Sequence, residues 1–282
     1  MKGVFSLKKL VKYSLKQGVN IFARLLANVL RGSYLYQKLL ESGMGDCKRV
    51  EYKDLVMTFT VPNALCRYRV ESFSTKEPGT LIWLESIPEG ACLWDVGANV
   101  GLYSIYAARK VKARVFAFEP SVFNLELLAR NIFLNGLQER VTIVPVALSD
   151  KLGPSLFKMS STSWGGALST FGQDFDQHGG KFNSIFEYQT MGMTMNEAIR
   201  LLNIPAPRFV KIDVDGIEHF ILRGGAETLK GVESVMLEVD DGFSEQAEET
   251  AHHLQNAGLN LLRKCDGDTG SQYNQWWVRG RA

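Results

Sequence analysis

The segment Asp95-Val96-Gly97-Ala98-Asn99-Val100-Gly101 joins a short apolar run, Ala91 to Val96, to a helical pattern, Val100 to Arg109. Glycines at 97 and 101 let the backbone turn sharply and lie close to a ligand, and the start of a helix offers N–H groups with no intrahelical partner. A dinucleotide-binding turn would read G-x-G-x-x-G, but Asn99 stands where its second glycine would be. The pattern therefore predicts a nucleoside ligand without a pyrophosphate bridge. Glu119 sharpens this reading. It closes a second strand, Arg114 to Phe118, 18 residues beyond Gly101, where a carboxylate can accept both hydroxyl protons of a ribose.

Such a turn needs a parallel sheet, and the chain supplies the alternation that builds one. Helical spacing over Val122 to Leu134 stops at Asn135-Gly136, and strands follow at Val141 to Val146, Phe209 to Ile212 and Val235 to Val239. Helices are expected at Ile217 to Leu229 and Ser244 to Asn256, and final strands at Asn260 to Lys264 and Gln275 to Arg279. This is the pattern of βαβ units and an α/β fold. Ahead of it, Leu55 to Val61 and Arg67 to Val70 read as strands and Thr80 to Glu85 as a helix. Residues 151–190 break the rhythm and are rich in Ser, Gly and Phe, which marks an insertion of functional or disordered character.

Composition narrows the class further. With 45% hydrophobic and 22% charged residues in 282, the chain can bury a sizeable core, which excludes disorder and a polytopic membrane protein. Cys47, Cys66, Cys92 and Cys265 form no C-x-x-C pair, so neither a disulfide framework nor a zinc knuckle is expected, and a reduced compartment is.

The segments DVGANVGLYSIYAA, VFAFEPSVFNLELLARNIFLNGL, VTIVPVALSD, FVKIDVDGIEHFILRGGAETL and VMLEVDD together resemble the FkbM family of S-adenosylmethionine-dependent methyltransferases. The likeness runs over roughly residues 70–280, in order. It implies a Rossmann-like, seven-stranded class I methyltransferase fold with an antiparallel last strand, and S-adenosyl-L-methionine as cofactor. It also implies cofactor binding by Asp95, Gly97, Ala98, Asn99 and Gly101, a ribose contact at Glu119, and an adenine-side segment at Ala147, Leu148 and Asp150.

Methyl transfer to a hydroxyl needs an aligned acceptor and a base for its proton. Strand alternation points Lys211, Asp213 and Asp215 to one side before Gly216 turns the chain, and Glu218 and His219 then open a helix. Asp213 is expected to position the methyl end and acceptor, His219 or Asp215 to act as base, and Glu218 to hold the helix start, a site where an acid also complements the helix dipole. Family members resemble this with Lys-Ile-Asp-Val-Glu-Gly-x-Glu; Asp215 replaces the usual Glu. No metal-ligand set is assigned: the Asp213-x-Asp215-Gly216 spacing lacks the further ligands of a calcium loop, and a carboxylate-bound magnesium stays open as an alternative. Trp164, Phe171 and Phe175 in the insertion suit stacking on a sugar.

The net charge of +2 divides unevenly. Residues 1–40 hold Lys2, Lys8, Lys9, Lys12, Lys16, Arg24, Arg31 and Lys38 and no acid, leaving 24 basic against 30 acidic side chains beyond them, a net −6. The body therefore disfavours nucleic acid. Residues 1–45 are expected to form a basic, amphipathic helical arm, with the methyltransferase domain at 46–282 and an acceptor loop within 151–190. Arg24 interrupts the best apolar stretch, so no membrane span is expected. The arm suits peripheral contact of a cytoplasmic protein with an anionic inner membrane face. Packing on its own domain or on a sister subunit in a homo-oligomer is the alternative. The expected activity is O-methylation of a hydroxyl of a sugar, glycan or glycolipid. The competing reading is a non-catalytic cofactor-binding or scaffold module recruited to a membrane-bound glycan assembly.

Overall fold

The computed structural model describes residues 2–265 and 271–280, with side chains from residue 14 onward. The side chains of Lys2, Leu7, Lys8, Lys9, Val11 and Lys12, which carry part of the expected amphipathic pattern, lie outside the described residues. The chain divides into two compact units, Met1–Asp46 and Cys47–Ala282.

The first unit holds α1 (Lys2–Leu30) and α2 (Tyr34–Met44). Ser33 starts α2 by accepting the Tyr36 N–H at 3.1 Å. Leu15, Val19, Phe22, Leu26 and Val29 recur every three or four residues along α1 and are all exposed. Arg24 falls on the opposite arc and Lys16 on the flank of the stripe. No helix of the described residues is long and apolar enough to cross a membrane.

The second unit opens with an antiparallel hairpin, β1 (Cys47–Tyr52) and β2 (Leu55–Thr60). Three short helices follow: α3 (Ala64–Glu71), α4 (Phe73–Lys76) and α5 (Pro78–Ser86). The strand expected at Arg67 to Val70 is therefore helical. The Asn63 side chain caps that helix by accepting the Cys66 N–H at 2.8 Å, and Cys66 and Val70, four residues apart, bury one face.

The βα rhythm then runs through β3 (Cys92–Val96), α6 (Leu102–Lys110), β4 (Arg114–Phe118), α7 (Val122–Leu134) and β5 (Val141–Val144). After β6 (Ala147–Leu148) the insertion supplies β7 (Gly153–Met159), β8 (Ser169–Phe171) and most of β9 (Phe186–Met193), and the four pair in the order β6-β9-β7-β8. Instead of an irregular loop, the insertion is thus a second small sheet, whose alternation buries Phe157 and Met159. The remainder is α8 (Met195–Leu202), β10 (Phe209–Ile212), α9 (Glu218–Gly224), α10 (Ala226–Leu229), β11 (Ser234–Asp240), α11 (Ser244–Asn256), β12 (Leu259–Cys265) and β13 (Gln272–Arg279). The single helix expected at Ile217 to Leu229 is broken at Gly225.

The large sheet has seven strands in the order β12-β13-β11-β10-β3-β4-β5, parallel except for β13, which runs antiparallel to both neighbours. Successive strand residues feed opposite cores: Leu93 and Val115 pack with Phe73, Tyr106 and Leu128, whereas Trp94 and Phe116 pack with Ile221, Leu222 and Trp277. Helices cover both faces, as parallel strands apolar on each side require. Burial of each such side chain contributes about 1.5–3 kcal/mol. What this arrangement places is a row of strand ends. Val96, Phe118 and Ile212 lie in register across β3, β4 and β10, so the residues that follow them emerge together at the carboxyl edge.

Candidate active site

A cavity of about 320 Å3 opens at that edge. Gly97, Ala98 and Asn99 line it, and the turn that carries them is left-handed at three points: Gly97 (φ 81°), Asn99 (φ 51°) and Gly101 (φ 85°). A side chain at 97 would bring its Cβ to 1.9 Å from the Asp213 carbonyl oxygen, so glycine is required by both conformation and close approach. The Gly97 and Ala98 amides donate to the Phe118 carbonyl at 3.0 Å each, fastening the turn to β4.

Glu119 is buried in the cavity wall. Its Oε2 accepts the Asn99 N–H at 2.7 Å and its Oε1 the Ser121 N–H at 2.8 Å. Burial pushes its carboxyl up to about 7, against the opposing pull of those amides. Phe118, Val146 and Leu148 form an apolar slot beside it.

Beyond the turn, Lys211 is 2% exposed and donates from Nζ to Asp213 Oδ2 at 2.9 Å. Burial would raise the Asp213 carboxyl, but the Lys211 ammonium outweighs it and holds the group below the usual carboxylate range. Asp215 takes a different part. Its Oδ2 accepts the amides of Leu168 (2.8 Å) and Ser169 (3.2 Å), which tie the strap 164–169 over the cavity. The same strap is held by Asn99 and Asn124, both donating to the Gly166 carbonyl, and by Arg69, which donates from Nε to the Gly165 carbonyl at 2.7 Å. Burial, then the Asp213 charge, push Asp215 up to about 6.

Several expected residues sit elsewhere. His219 is fully buried beside Phe220 and Phe243 and is absent from the cavity wall; burial pushes it down to about 4, so it is neutral. One step around the helix from Glu218, it faces the core rather than the strand ends. Glu218 is also off the cavity, accepting the Val214 and Gly216 amides and the Gln246 side chain, which fixes the turn into α9. Asp95 accepts from Ser104 on α6 and stands behind the turn rather than on the cavity, as does Gly101. Ala147 and Leu148 line the cavity, but Asp150 turns away to Arg223, 3.5 Å distant. Of the insertion aromatics, Phe171 reaches the cavity, whereas Trp164 packs against the cluster of Cys66, Val100 and Leu127, and Phe175 against Phe220 and Phe243.

The methyltransferase FkbM domain family matches residues 95–266, more than half of the chain. The chain belongs to the FkbM methyltransferase family. It is 27% identical over 190 residues to "Hexuronic acid methyltransferase AglP" of Haloferax volcanii, covering 65% of this chain and 70% of that protein. It is 35% identical over 71 residues to "Methyltransferase sdnD" of Sordaria araneosa, a match covering 25% of this chain and 27% of that protein. The crystal structure of an FkbM methyltransferase from Methylobacillus flagellatus KT superposes with a TM-score of 0.50 at 13% identity, covering 76% of this chain and 52% of that one, which supports the Rossmann-like methyltransferase fold. This FkbM chain is a methyltransferase enzyme, and the non-catalytic scaffold reading falls.

The family implies use of S-adenosylmethionine, and the residues present fit it. Glu119 offers a carboxylate at a strand end, Phe118, Val146 and Leu148 offer an apolar slot for a base, and the carboxylates of Asp213 and Glu238 offer negative charge for a cationic sulfur. Arg69, Lys76, Glu77, Tyr103, Asn124 and Glu238 also line the cavity and were not singled out by sequence. The first three lie in the run of short helices ahead of the βα repeat. Glu238, within VMLEVDD, carried a signal: an acid set among the apolar residues Val235, Met236, Leu237 and Val239 of one strand.

Proposed function

We propose that this FkbM enzyme transfers a methyl group from S-adenosylmethionine to a hydroxyl of a sugar, as a free sugar, glycan or glycolipid. The observation carrying this is the single cavity that holds both the glycine turn with Glu119 and, two strands away, the Lys211-fixed Asp213. The likeness to a hexuronic acid methyltransferase supports a sugar acceptor.

When bound, S-adenosylmethionine supplies an electrophilic methyl carbon on a positively charged sulfur. Gly97, Ala98 and Asn99 present the backbone turn, Glu119 accepts the ribose hydroxyls, and the apolar slot takes the adenine. Asp213, kept ionised by Lys211, complements the positive end and orients the acceptor. The strap 164–169 excludes water, which strengthens each of these interactions. Arg69 and Lys76 on the acceptor side suit a sugar bearing an anionic group, by charge complementarity.

The arm places the enzyme. Its exposed apolar stripe of Leu15, Val19, Phe22, Leu26 and Val29, with Lys16 on its flank, Arg24 on the other arc and no acid before Glu41, suits the surface of an anionic bilayer on the cytoplasmic side.

Calorimetric titration with S-adenosylhomocysteine tests the cofactor reading. Binding by the wild type and its marked weakening in Glu119→Ala is the expected result. Methyl transfer to octyl glucoside and octyl glucuronide tests the acceptor class; transfer to neither overturns it.

A further inference from the structure

We propose that Glu238 is the general base of this methyl transfer, the group that takes the proton from the acceptor hydroxyl. The inference rests on the reading of the site as an O-methyltransferase and assigns the one role that reading leaves unfilled.

Position comes first. Leu237 pairs with Ile212 across the parallel strands β11 and β10, so the residues that follow them, Glu238 and Asp213, stand side by side at the carboxyl edge, one strand spacing of about 4.8 Å apart. Glu119, Gly97, Asp213 and Glu238 thus follow one another across β4, β3, β10 and β11. Glu238 lies on the far side of Asp213 from the ribose-binding carboxylate, where an acceptor meets the methyl end. It lines the same cavity.

The other acids are committed. Asp215 holds the strap through two backbone amides, and Glu218, away from the cavity, holds the turn into α9. Glu77 faces Lys76 and Thr80. Asp213 holds Lys211, whose ammonium makes it a poor proton acceptor. Glu238 alone of these has no hydrogen-bond partner among the described residues. The charges around it are Asp213, Asp215 and Lys211 from β10 and its following turn, Glu218 from α9, and Glu77 from before α5; its partner in β13, Asn274, is neutral. Burial, then the carboxylates led by Asp213, push Glu238 up to about 9. A carboxyl so placed holds its proton at neutral pH until positive charge arrives, and once ionised is a far stronger base than an ordinary glutamate.

In the step, Glu238 accepts the hydroxyl proton while the acceptor oxygen bonds to the methyl carbon and the carbon–sulfur bond breaks, its electron pair staying on sulfur. The donor departs as a neutral thioether, and Glu238 passes its proton to water.

The test compares S-adenosylmethionine with S-adenosylhomocysteine by calorimetry on the full chain from pH 6 to 9. A sulfonium favours ionised Glu238 and a thioether does not. In the wild type the preference for the sulfonium should therefore grow by about tenfold as pH rises, a change of one decade per proton released per pH unit being the upper bound. In Glu238→Gln that growth should vanish while S-adenosylhomocysteine affinity stays within threefold. On whichever octyl glycoside is methylated, Glu238→Gln should lower kcat at saturating donor by about a hundredfold or more, and Glu238→Asp should recover part of it. An unchanged pH-dependent preference in Glu238→Gln, or turnover within threefold of wild type, overturns the proposal. Failure of the wild type to bind S-adenosylhomocysteine overturns the cofactor reading instead, and if neither glycoside is methylated the calorimetric comparison alone decides.

Discussion

Lys211 near the end of β10 and Asp213 just beyond it are joined by a 2.9 Å hydrogen bond from Nζ to Oδ2, with the lysine 2% exposed and its Nζ 5.0 Å from the Tyr103 ring centroid. A buried lysine is costly unless paired, and here burial is outweighed by Asp213, Asp95 and Glu77, which raise its pKa above the ordinary lysine value. The pair fixes one carboxylate of the cavity wall in its ionised form.

Breaking that pair from one side leaves a buried charge alone. Asp213→Asn takes the charged partner from the Lys211 ammonium, whose side chain is 3% exposed, and should cost about 3 kcal/mol of stability, and the double variant Lys211→Met with Asp213→Asn should cost less than the sum of the two singles. Urea unfolding of the four proteins checks this; additive losses would show that the contact carries no coupling.

Glu119 makes cofactor binding depend on pH. With its carboxyl pushed up to about 7, it is protonated and a poorer acceptor of ribose hydroxyls at pH 6. Affinity for S-adenosylhomocysteine should fall by up to about tenfold between pH 8 and 6, and Glu119→Gln should bind weakly with no such slope. The ligand-free protein should move the other way. Because the native state binds protons more tightly than the unfolded chain at Glu119, Asp215 and Glu218, their contribution to stability falls as pH rises from about 4.5 to 7. Thermal unfolding without ligand across that window shows the sign.

Asp215 fastens the strap through its carboxylate. Asp215→Asn should leave S-adenosylhomocysteine affinity within about threefold but speed hydrogen exchange at the Leu168 and Ser169 amides, which lose a charged acceptor worth about 1.5–3 kcal/mol. Unchanged exchange at both amides would contradict the role.

His219 has two buried ring nitrogens without hydrogen-bond partners among the described residues. Removing them should cost little beyond packing, so His219→Leu should keep methyl transfer within about threefold and stability within about 1 kcal/mol. A hundredfold loss of kcat with intact cofactor binding would return it to the catalytic set.

The arm has its own test in the full chain. Leu15→Asp with Phe22→Asp places charges in the exposed stripe of α1 and should abolish flotation with vesicles of phosphatidylglycerol and phosphatidylcholine while leaving S-adenosylhomocysteine binding unchanged. Equal flotation of variant and wild type would leave the stripe to another partner.

Local chemistry made much of this enzyme legible in its residues. The left-handed turn at Gly97 and Gly101, the acid closing β4 and the βα alternation are short-range consequences of backbone sterics and apolar spacing, so they could be read in order along the chain. Such spacing also misled where two periods overlap: Arg67 to Val70 alternates like a strand, but capping by Asn63 and the i, i+4 burial of Cys66 and Val70 make it helix. Which acids line the cavity was decided only in three dimensions. Asp213, Asp215, Glu218 and His219 are nearly consecutive, yet one meets Lys211, one holds a strap 46 residues away, one locks a helix start and one is buried. Glu238 reaches the cavity because β11 lies beside β10, a neighbour relation set by sheet order, which no local pattern encodes.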